Sequence, residues 1–361
     1  MAVFIVKEQK DIRQSINAIF NKFENVFDLS KGFFLKPNIV FPVPPYSGEI
    51  TRPGVVRAVF EVIREKYGKV DIVIGEGTAA GTIPEENFKI SGFQKLAKEL
   101  GVELVDLNEV ERVDVQWKFG SIALPKIVFE RNYINLPILK LSAAAIISGA
   151  LKNQKGLLLP QMKKNFHKLG LHEPIAQLAK IIQPHLTIMD GINFFRDENI
   201  FIAGNNAYEI DCLATRLLNI DESEYLQIAR SSGIGNDQFS ITGAQVTPFN
   251  PGTYRVEKNK RYFNVRLWSN PRACSMCRLT LYSIKKTPMK DLRYSLMMYL
   301  KLLKYAFKGG VDFVFGSKPQ FDENAKNIIC IGNCTKKLAQ QKGCIHVPGC
   351  PPTKEEMLKN I

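Results

Sequence analysis

Six of the seven cysteines of this 361-residue chain lie in its C-terminal quarter, where their spacing strongly constrains the fold. They occur as Cys274-Ser-Met-Cys277, Cys330-Ile-Gly-Asn-Cys334, Cys344 and the Gly-Cys-Pro-Pro segment at Cys350. In a reducing compartment, thiols gathered in this way indicate a metal or redox site rather than structural disulfides. Iron–sulfur clusters are held by four cysteine thiolates, so an iron–sulfur centre with electron transfer is the first hypothesis.

A tetrahedral zinc site is the alternative, because zinc also accepts four thiolates with CxxC spacing. Zinc ribbons usually use two CxxC pairs, and this sequence has one, so the pattern favours iron–sulfur. The seventh cysteine, Cys212, lies in the helical pattern Ala207–Leu218. We interpret it as a small buried apolar residue.

The net charge of +14, from 49 Lys and Arg against 35 Asp and Glu, indicates an acidic partner or an anionic ligand. The expected partners are an acidic electron carrier such as a ferredoxin and an anionic small molecule. Nucleic acid is not favoured, because the basic residues are scattered and no recognition motif is present. The sequence has neither a signal peptide nor the roughly 18–20 apolar residues of a membrane helix. It therefore predicts a cytoplasmic protein without a membrane partner.

Short apolar strands alternate with amphipathic helices in the first part of the chain. Val3–Val6 and Val70–Gly75 read as strands, whereas Asp11–Phe23 and Glu86–Leu100 read as helices. This alternation predicts an α/β fold with a doubly wound, mostly parallel sheet. We place this first domain at residues 1–250, a linker at 251–270, and a second, smaller α/β iron–sulfur domain at 271–361.

Four charged residues lie at or near predicted strand ends, and they are candidates for catalytic residues: Lys36, Glu76, Lys140 and Asp190. Ligands collect at the carboxyl ends of strands in open α/β sheets. A carboxylate there can bind a metal or act as a general base. The alternative is that the carboxylates are helix caps or turn residues and that the lysines are simply exposed.

Residues 152–156 form a basic segment rich in small and amide residues, and this composition predicts an anion site. The expected substrate-binding residues are Lys152, Asn153, Lys155 and Gly156, with Lys163 and His167 as further members. Lysine supplies a compact positive charge, and glycine lets backbone N–H groups approach a phosphate or carboxylate. The alternative is a solvated helix end followed by a basic loop.

Two predicted strands in the C-terminal region, Asn327–Ile331 and Cys344–Val347, are followed closely by Cys334 and Cys350. Two loops at the same edge of a parallel sheet can direct their thiolates at one point. The CxxC pair would complete such a ligand set.

The first 250 residues resemble the family called domain of unknown function 362. The resemblance rests on Lys36-Pro-Asn38, Gly75-Glu-Gly77, Ser91-Gly-Phe93, residues 134–140 (INLPILK), residues 148–156 (SGALKNQKG), residues 188–191 (IMDG) and Ile202-Ala-Gly204 with Asp211. It implies an α/β fold that is often joined to iron–sulfur modules in anaerobes and archaea, and it brings no settled reaction.

The sequence departs from this family in two places. It has Lys140-Leu-Ser142 where the family commonly has Lys-Thr-His, and Gly204-Asn-Asn-Ala207 where the family commonly has Gly-x-Asp-Pro. Roles that depend on that histidine or aspartate are therefore not carried over.

The C-terminal region resembles the cluster-binding module of the 20 kDa subunit of complex I and of the small subunit of nickel–iron hydrogenase. This resemblance implies one 4Fe–4S cluster whose ligands are Cys274, Cys277, Cys334 and Cys350. Cys330 and Cys344 are then buried bystanders, alternative ligands or a redox-active dithiol.

These observations lead to one principal functional hypothesis, which is electron transfer coupled to ferredoxin-linked reduction of an anionic substrate or a disulfide. An iron–sulfur oxidoreductase activity is one form of it. A different class of function is a non-catalytic, cluster-based redox sensor or an anion- or nucleic-acid-binding protein. A third is a dithiol–disulfide reductase that uses Cys330 and Cys344, whose Cα atoms would have to lie within about 7 Å.

Overall fold

The computed structural model divides the chain into two compact units. The first unit comprises Met1–Lys140 and Ile147–Asn250, and the second comprises Leu141–Ile146 and Pro251–Ile361. The residues described are 2–40, 42–45, 47–78, 82–142, 145–193, 195, 199–248, 265–269, 296–297, 300–301, 303–305, 308–315, 321, 324–349 and 352–361.

The first unit is built on an eight-stranded sheet with the order β12-β1-β11-β10-β7-β2-β3-β4. The strands of this sheet are β1 (Ala2–Lys7), β2 (Phe33–Pro37), β3 (Ile72–Glu76), β4 (Glu103–Asp106), β7 (Asn132–Leu136), β10 (Leu186–Asp190), β11 (Ile200–Gly204) and β12 (Ser240–Gly243). Only β11 runs antiparallel to its neighbours in this sheet. The predicted α/β architecture with a mostly parallel sheet is therefore confirmed.

Two further strand pairs lie outside the eight-stranded sheet. Strands β5 (Arg112–Trp117) and β6 (Gly120–Pro125) form an antiparallel hairpin. Strands β8 (Lys140–Ser142) and β9 (Ile146–Ser148) are only three residues long.

Helices connect and flank the strands of the first unit. They are α1 (Ile12–Phe23), α2 (Pro53–Tyr67), α3 (Pro84–Ile90), α4 (Phe93–Leu100), α5 (Ile127–Glu130), α6 (Ala150–Asn153), α7 (Pro160–Lys168), α8 (His172–Ile181), α9 (Ala207–Leu217) and α10 (Glu224–Ser231). The central strands β2, β3, β7, β10 and β11 are buried along their whole length. Such continuous burial is typical of a parallel sheet that is covered on both faces.

The single helix predicted at Glu86–Leu100 was wrong, because the structure divides it into α3 and α4. Gly92 separates the two helices with a φ of 81°. That left-handed conformation interrupts a right-handed helix, and glycine adopts it without steric cost. The change of direction places Phe93 and Leu96 in the core.

The second unit contains a four-stranded parallel sheet with the order β13-β14-β15-β16. Its strands are β13 (Val265–Ser269), β14 (Val311–Phe315), β15 (Ile328–Ile331) and β16 (Ile345–Val347), and its helices include α11 (Lys336–Lys342) and α12 (Lys354–Asn360). Buried Val311, Phe313, Ile329 and Val347 form one core cluster with Met357 of α12. This sheet fixes the positions of the loops that follow β15 and β16.

Within the described residues, no helix is both long enough and apolar enough to cross a bilayer.

Candidate functional site

Four adjacent parallel strands of the first unit end at the same edge of the sheet. Strands β3, β2, β7 and β10 are neighbours in that order, and each has a polar residue at its last or next-to-last position. Lys36 is paired in register with Asn135 on β7, and Glu76 is the last residue of β3. The tertiary structure thus gathers charged and amide side chains where parallel strands commonly present ligand-binding groups.

The centre of this edge is a buried ion pair between Lys36 and Glu76. The Lys36 Nζ atom lies 3.0 Å from Glu76 Oε2, and the side chains are 0% and 2% exposed. Glu76 also accepts hydrogen bonds from the backbone N–H groups of Ile39 and Gly77. Burial lowers the pKa of Lys36, whereas the charge of Glu76 acts in the opposite direction. Such a pair is held in place by its hydrogen bonds, because an unpaired buried charge is costly.

Two further lysines surround the same carboxylate. Lys140 Nζ donates to Asn38 Oδ1 at 3.3 Å and to the backbone oxygen of Glu49 at 2.6 Å. Lys163 Nζ donates to the backbone oxygens of Gly77 and Thr78 at 2.7 and 2.9 Å. Both lysines interact electrostatically with Glu76. We call Lys36, Glu76, Lys140 and Lys163 the Glu76 cluster.

Burial lowers the pKa of both outer lysines of the cluster. For Lys140 the direction is downward although Glu49 and Glu76 oppose it. For Lys163 burial lowers the pKa to about 8. A lysine with a pKa near neutrality can bind an anion as the ammonium ion or exchange a proton as the amine.

A chain of amide hydrogen bonds connects the cluster to the segment that the sequence predicted as an anion site. Asn38 Nδ2 donates to Asn153 Oδ1 at 2.8 Å, and Asn153 Nδ2 donates to Asn135 Oδ1 at 2.8 Å. Asn135 in turn donates to the backbone oxygen of Ala150 at 3.1 Å. Each amide thus fixes the orientation of the next, and the network joins β2, β7 and α6.

Glycine at position 156 is required by the close approach of this segment to the ion pair. A Cβ atom there would lie 2.0 Å from Glu76 Oε1 and 2.5 Å from Lys36 Nζ. Gly77 is similarly close, because its Cβ would lie 2.2 Å from the backbone oxygen of Gly156. Any side chain at Gly156 would have to displace the buried pair.

Gln154 lies in the same turn and is 1% exposed. Within the described part of the chain, neither its Oε1 nor its Nε2 atom has a hydrogen-bond partner. A buried amide with both polar atoms unpaired costs free energy, and such a group calls for a functional or structural reason. The sequence placed Gln154 within the segment 152–156 predicted as an anion site, but it gave this residue no role of its own.

The other predicted members of the anion site have different surroundings. Asn153 and Gly156 lie against the Glu76 cluster, as described above. The Lys155 ammonium lies 5.7 Å from the centre of the Phe166 ring. Burial lowers the pKa of His172, and the positive charge of Lys152 acts in the same direction. The side chain of His167 lies outside the described structure.

Asp190, the fourth predicted strand-end residue, forms a separate polar centre. Its carboxylate accepts two hydrogen bonds from Arg52, at 2.5 and 3.1 Å, and one from Asn199 at 3.2 Å. Arg52 also binds both carboxylate oxygens of Glu8. Burial raises the pKa of Asp190, and Arg52 opposes that shift. One guanidinium therefore binds two carboxylates, which is the arrangement of a structural bridge.

Asp211 positions the turn that carries Asn153 and Gly156. Its carboxylate accepts hydrogen bonds from the backbone N–H groups of Ala150 and Leu151, at 2.6 and 3.1 Å, and from the Tyr225 hydroxyl at 3.0 Å. Burial raises the pKa of Asp211 to about 7, although these hydrogen bonds act in the opposite direction. The sequence included Asp211 in the family resemblance without assigning it a role.

The described cysteines of the second unit lie along β15 and β16. Cys334 is exposed and follows β15, whereas Cys330 and Cys344 bring their Sγ atoms to 3.5 Å. The predicted ligands Cys274, Cys277 and Cys350 lie outside the described residues. The backbone N–H of Asn333 donates to the Gly349 oxygen at 2.9 Å, and that of Gly349 donates to Asn333 Oδ1 at 2.9 Å. The loops that carry Cys334 and lead to Cys350 are therefore bonded to each other.

Cys212, Glu222 and Asp237 form another group with potential metal-ligand atoms, which lie within 4.8 Å of one another. Arg230 forms ion pairs with both carboxylates. Burial raises the pKa of the Cys212 thiol to about 12. A guanidinium already bound to both carboxylates and a protonated thiol argue against a cation here.

The fold and this strand-end site belong to a known class of α/β protein. Residues 34–216, just over half of the chain, match the family described as Domain of unknown function (DUF362). The chain therefore belongs to this family, which confirms that part of the resemblance. The matched range includes the whole Glu76 cluster and Asp190.

A thylakoid-associated protein from Synechocystis sp. is also similar to this chain. The two sequences are 27% identical over 235 residues, which cover 59% of this chain and 70% of the relative.

We predict that Gly156→Ala destabilises the protein by about 1–3 kcal/mol, because the added methyl group overpacks the buried Lys36–Glu76 pair. Denaturant unfolding monitored by circular dichroism would measure the change. Gly204→Ala is the matched control, since its Cβ would meet its nearest atoms at an ordinary 3.6 Å. Equal stability of the two variants would contradict the close packing at Gly156.

We also predict that stability rises with pH in the alkaline range because of Lys163. Burial lowers its pKa from 10.5 to about 8 in the folded chain, so the unfolded chain binds more protons between these values. The free energy of unfolding should therefore increase from about pH 8 upwards. Urea unfolding at several pH values would show a smaller increase for Lys163→Met. Its exposed neighbour provides the control Lys164→Met, which should retain the wild-type slope; an equal loss in both variants would contradict the assignment.

Proposed function

We propose that the first unit binds a small anionic molecule through a phosphate or carboxylate group at the Glu76 cluster. The observation that carries this proposal is the clustering of positive charge, since Lys36, Lys140 and Lys163 all interact with the buried carboxylate of Glu76. Several ammonium groups around one carboxylate favour the binding of an anion, because the anion adds charge-assisted hydrogen bonds.

Among the described residues, the charged neighbours of the Glu76 cluster leave a small excess of positive charge. Lys163 also interacts with Asp106 and Arg112, and Lys140 interacts with Glu49. These neighbours bring the groups to four cations against three carboxylates. By contrast, one arginine at the Asp190 centre faces two carboxylates. The two polar centres of this sheet edge therefore differ in their balance of charge, and only the Glu76 cluster is proposed to bind a ligand.

Neutral hydrogen-bonding groups beside the cluster support the same proposal. The Gln154 amide is buried and unpaired within the described residues, so a ligand oxygen could accept from its Nε2 atom. Asn38 and Asn153 are held in fixed orientations by the amide chain. Prearranged donors of this kind lower the entropic cost of binding.

The competing explanation is a purely structural ion network that holds the ends of β2 and β3 together. Both explanations account for the Lys36–Glu76 pair and for the hydrogen bonds of Lys163 to Gly77 and Thr78, but the structural network gives the buried Gln154 amide no partner among the described residues. They make different predictions for added anions, because a structural network gains nothing from them.

Calorimetric titration of the full chain with phosphate, pyrophosphate and a dicarboxylate at constant ionic strength would test the proposal. We expect saturable binding of at least one of these probes. Lys163→Met should weaken it about tenfold or more, which corresponds to about 1.4 kcal/mol. Lys164→Met should bind as the wild type does. Absence of binding to all three probes, or equal weakening by both variants, would contradict the proposal.

A second candidate function, for the second unit, is electron transfer by a 4Fe–4S cluster. The observation that favours it is the pair of hydrogen bonds between Asn333 and Gly349, because each residue directly precedes a predicted ligand. The four residues that would hold the cluster are Cys274, Cys277, Cys334 and Cys350. A bound cluster supplies one-electron transfer. The exposure of Cys334 is compatible with electron entry from outside.

The proposed electron donor is an acidic carrier such as a ferredoxin, because the chain carries a net charge of +14. The acceptor would be an anionic substrate or a disulfide. A redox sensor without catalysis remains the alternative within this proposal. The relative's printed name associates that protein with thylakoids, and a cytoplasmic location for this chain is our proposal from its sequence.

Analysis of iron, zinc and acid-labile sulfide in anaerobically purified protein would test the cluster, together with electron paramagnetic resonance after reduction. We expect about four irons and four sulfides per chain with a reducible signal. Cys350→Ala should lose the signal, whereas Cys212→Ala should retain it. Stoichiometric zinc without sulfide would contradict electron transfer and leave a structural metal site.

A further inference from the structure

The thiols of Cys330 and Cys344 lie unusually close together in the second unit. Their Sγ atoms are 3.5 Å apart, whereas the sulfur atoms of a disulfide are about 2.05 Å apart. The two sulfur atoms would have to approach each other by roughly 1.5 Å to form the bond. At 3.5 Å they are already in direct hydrogen-bond contact.

The backbone around both cysteines is fixed by the fold. Cys330 lies on β15, which pairs in parallel with β16, and Cys344 directly precedes β16. Gly343 ends α11 in a left-handed conformation with a φ of 61°. The Cys344 N–H then donates to the Ala339 oxygen at 3.1 Å. The helix end thus turns the chain so that Cys344 faces the neighbouring strand.

The surroundings give the two thiols different accessibility. Cys330 is fully buried among apolar residues that include Val314 and Ala339, whereas Cys344 is only half-buried. Burial raises the pKa of Cys330 to about 12, which keeps it protonated and slow to react with an external oxidant. Cys344 is therefore the thiol that a reagent in solution can reach first.

We propose that Cys330 and Cys344 form a reversible disulfide, with a low-molecular-weight or protein disulfide as the oxidant. The Cys344 thiolate attacks one sulfur of the oxidant, forms a mixed disulfide and releases the first thiolate. The Cys330 sulfur then attacks Cys344 Sγ, and its proton passes to the second departing thiolate. The protein loses two hydrogen atoms, and the oxidant is reduced to two thiols.

The bond would reinforce a connection that the fold already makes. Gly332 donates its N–H to the Val347 oxygen at 2.9 Å, just beyond the ends of β15 and β16. The disulfide would join the third residue of β15 to the residue that precedes β16. The proposal is independent of cluster binding, because neither Cys330 nor Cys344 is among the four proposed ligands.

Treatment of the full chain with oxidised glutathione tests the proposal directly. The remaining thiols are alkylated in denaturant, and the digested protein is analysed by mass spectrometry before and after dithiothreitol. We expect a peptide pair joined through Cys330 and Cys344 that separates on reduction. A stable glutathione adduct on Cys344 without the joined pair, or a link from Cys344 to Cys334, would overturn the proposal.

Two variants sharpen this test. Cys330→Ala should trap the mixed disulfide on Cys344, because the resolving thiol is absent. Cys334→Ser should form the Cys330–Cys344 bond to the same extent as the wild type, and its failure to do so would overturn the assignment. Circular dichroism establishes that each variant is folded. The wild-type measurement alone decides the outcome if Cys330→Ala does not fold.

Discussion

The ion pair between Lys36 and Glu76 is the interaction around which the strand-end region of the first unit is organised. Removing two charges from water carries a penalty of several kcal/mol per ion, and that penalty is offset only when their hydrogen bonds are satisfied. The Glu76 carboxylate satisfies this condition through Lys36 and two backbone N–H groups. The chain following β2 and the turn following β3 are therefore tied to one side chain, and Gly156 must leave room for it.

The same sheet edge contains a second buried carboxylate with an opposite balance of charge. Asp190 shares Arg52 with Glu8, so this guanidinium already binds two carboxylates of the protein. Lys140 and Lys163, in contrast, add positive charge around Glu76. This difference gives the Asp190 centre the character of a structural bridge, and it is the basis for proposing an anion at the Glu76 cluster. Parallel strands make both possible, because their ends deliver side chains to one edge.

In the second unit, parallel strands likewise bring together the loops that follow them. Its four parallel strands are short, and the loops after β15 and β16 are joined through Asn333 and Gly349. Cys330 within β15 and Cys344 just before β16 bring their thiols into contact. Three of the described cysteines are thus concentrated around one pair of strands, and the exposed Cys334 follows β15. The hydrogen bonds between the loops explain why these positions stay in register.

The sequence by itself determined the mostly parallel sheet, because short apolar strands alternate with amphipathic helices. Short stretches such as Lys36-Pro-Asn38 and Gly75-Glu-Gly77 also pointed to the family that the comparison established. The sequence also selected Lys36, Glu76 and Lys140 from their places at strand ends. It did not separate Asp190 from them, nor did it show that α3 and α4 are two helices. The left-handed conformation of Gly92 and the choice of ion-pair partners depend on packing rather than on local pattern.

Only the tertiary structure decided which of these charged residues share a site. Lys163 meets Gly77 across 86 positions of the chain, and Asp211 reaches Ala150 across 61. Such contacts have no periodicity in the sequence, because they depend on how the strands are ordered in the sheet. The burial that lowers the pKa of Lys163 and leaves Gln154 unpaired within the described residues likewise exists only after folding. Residue types and spacing therefore specify the available chemistry, whereas distance and burial specify which groups act together.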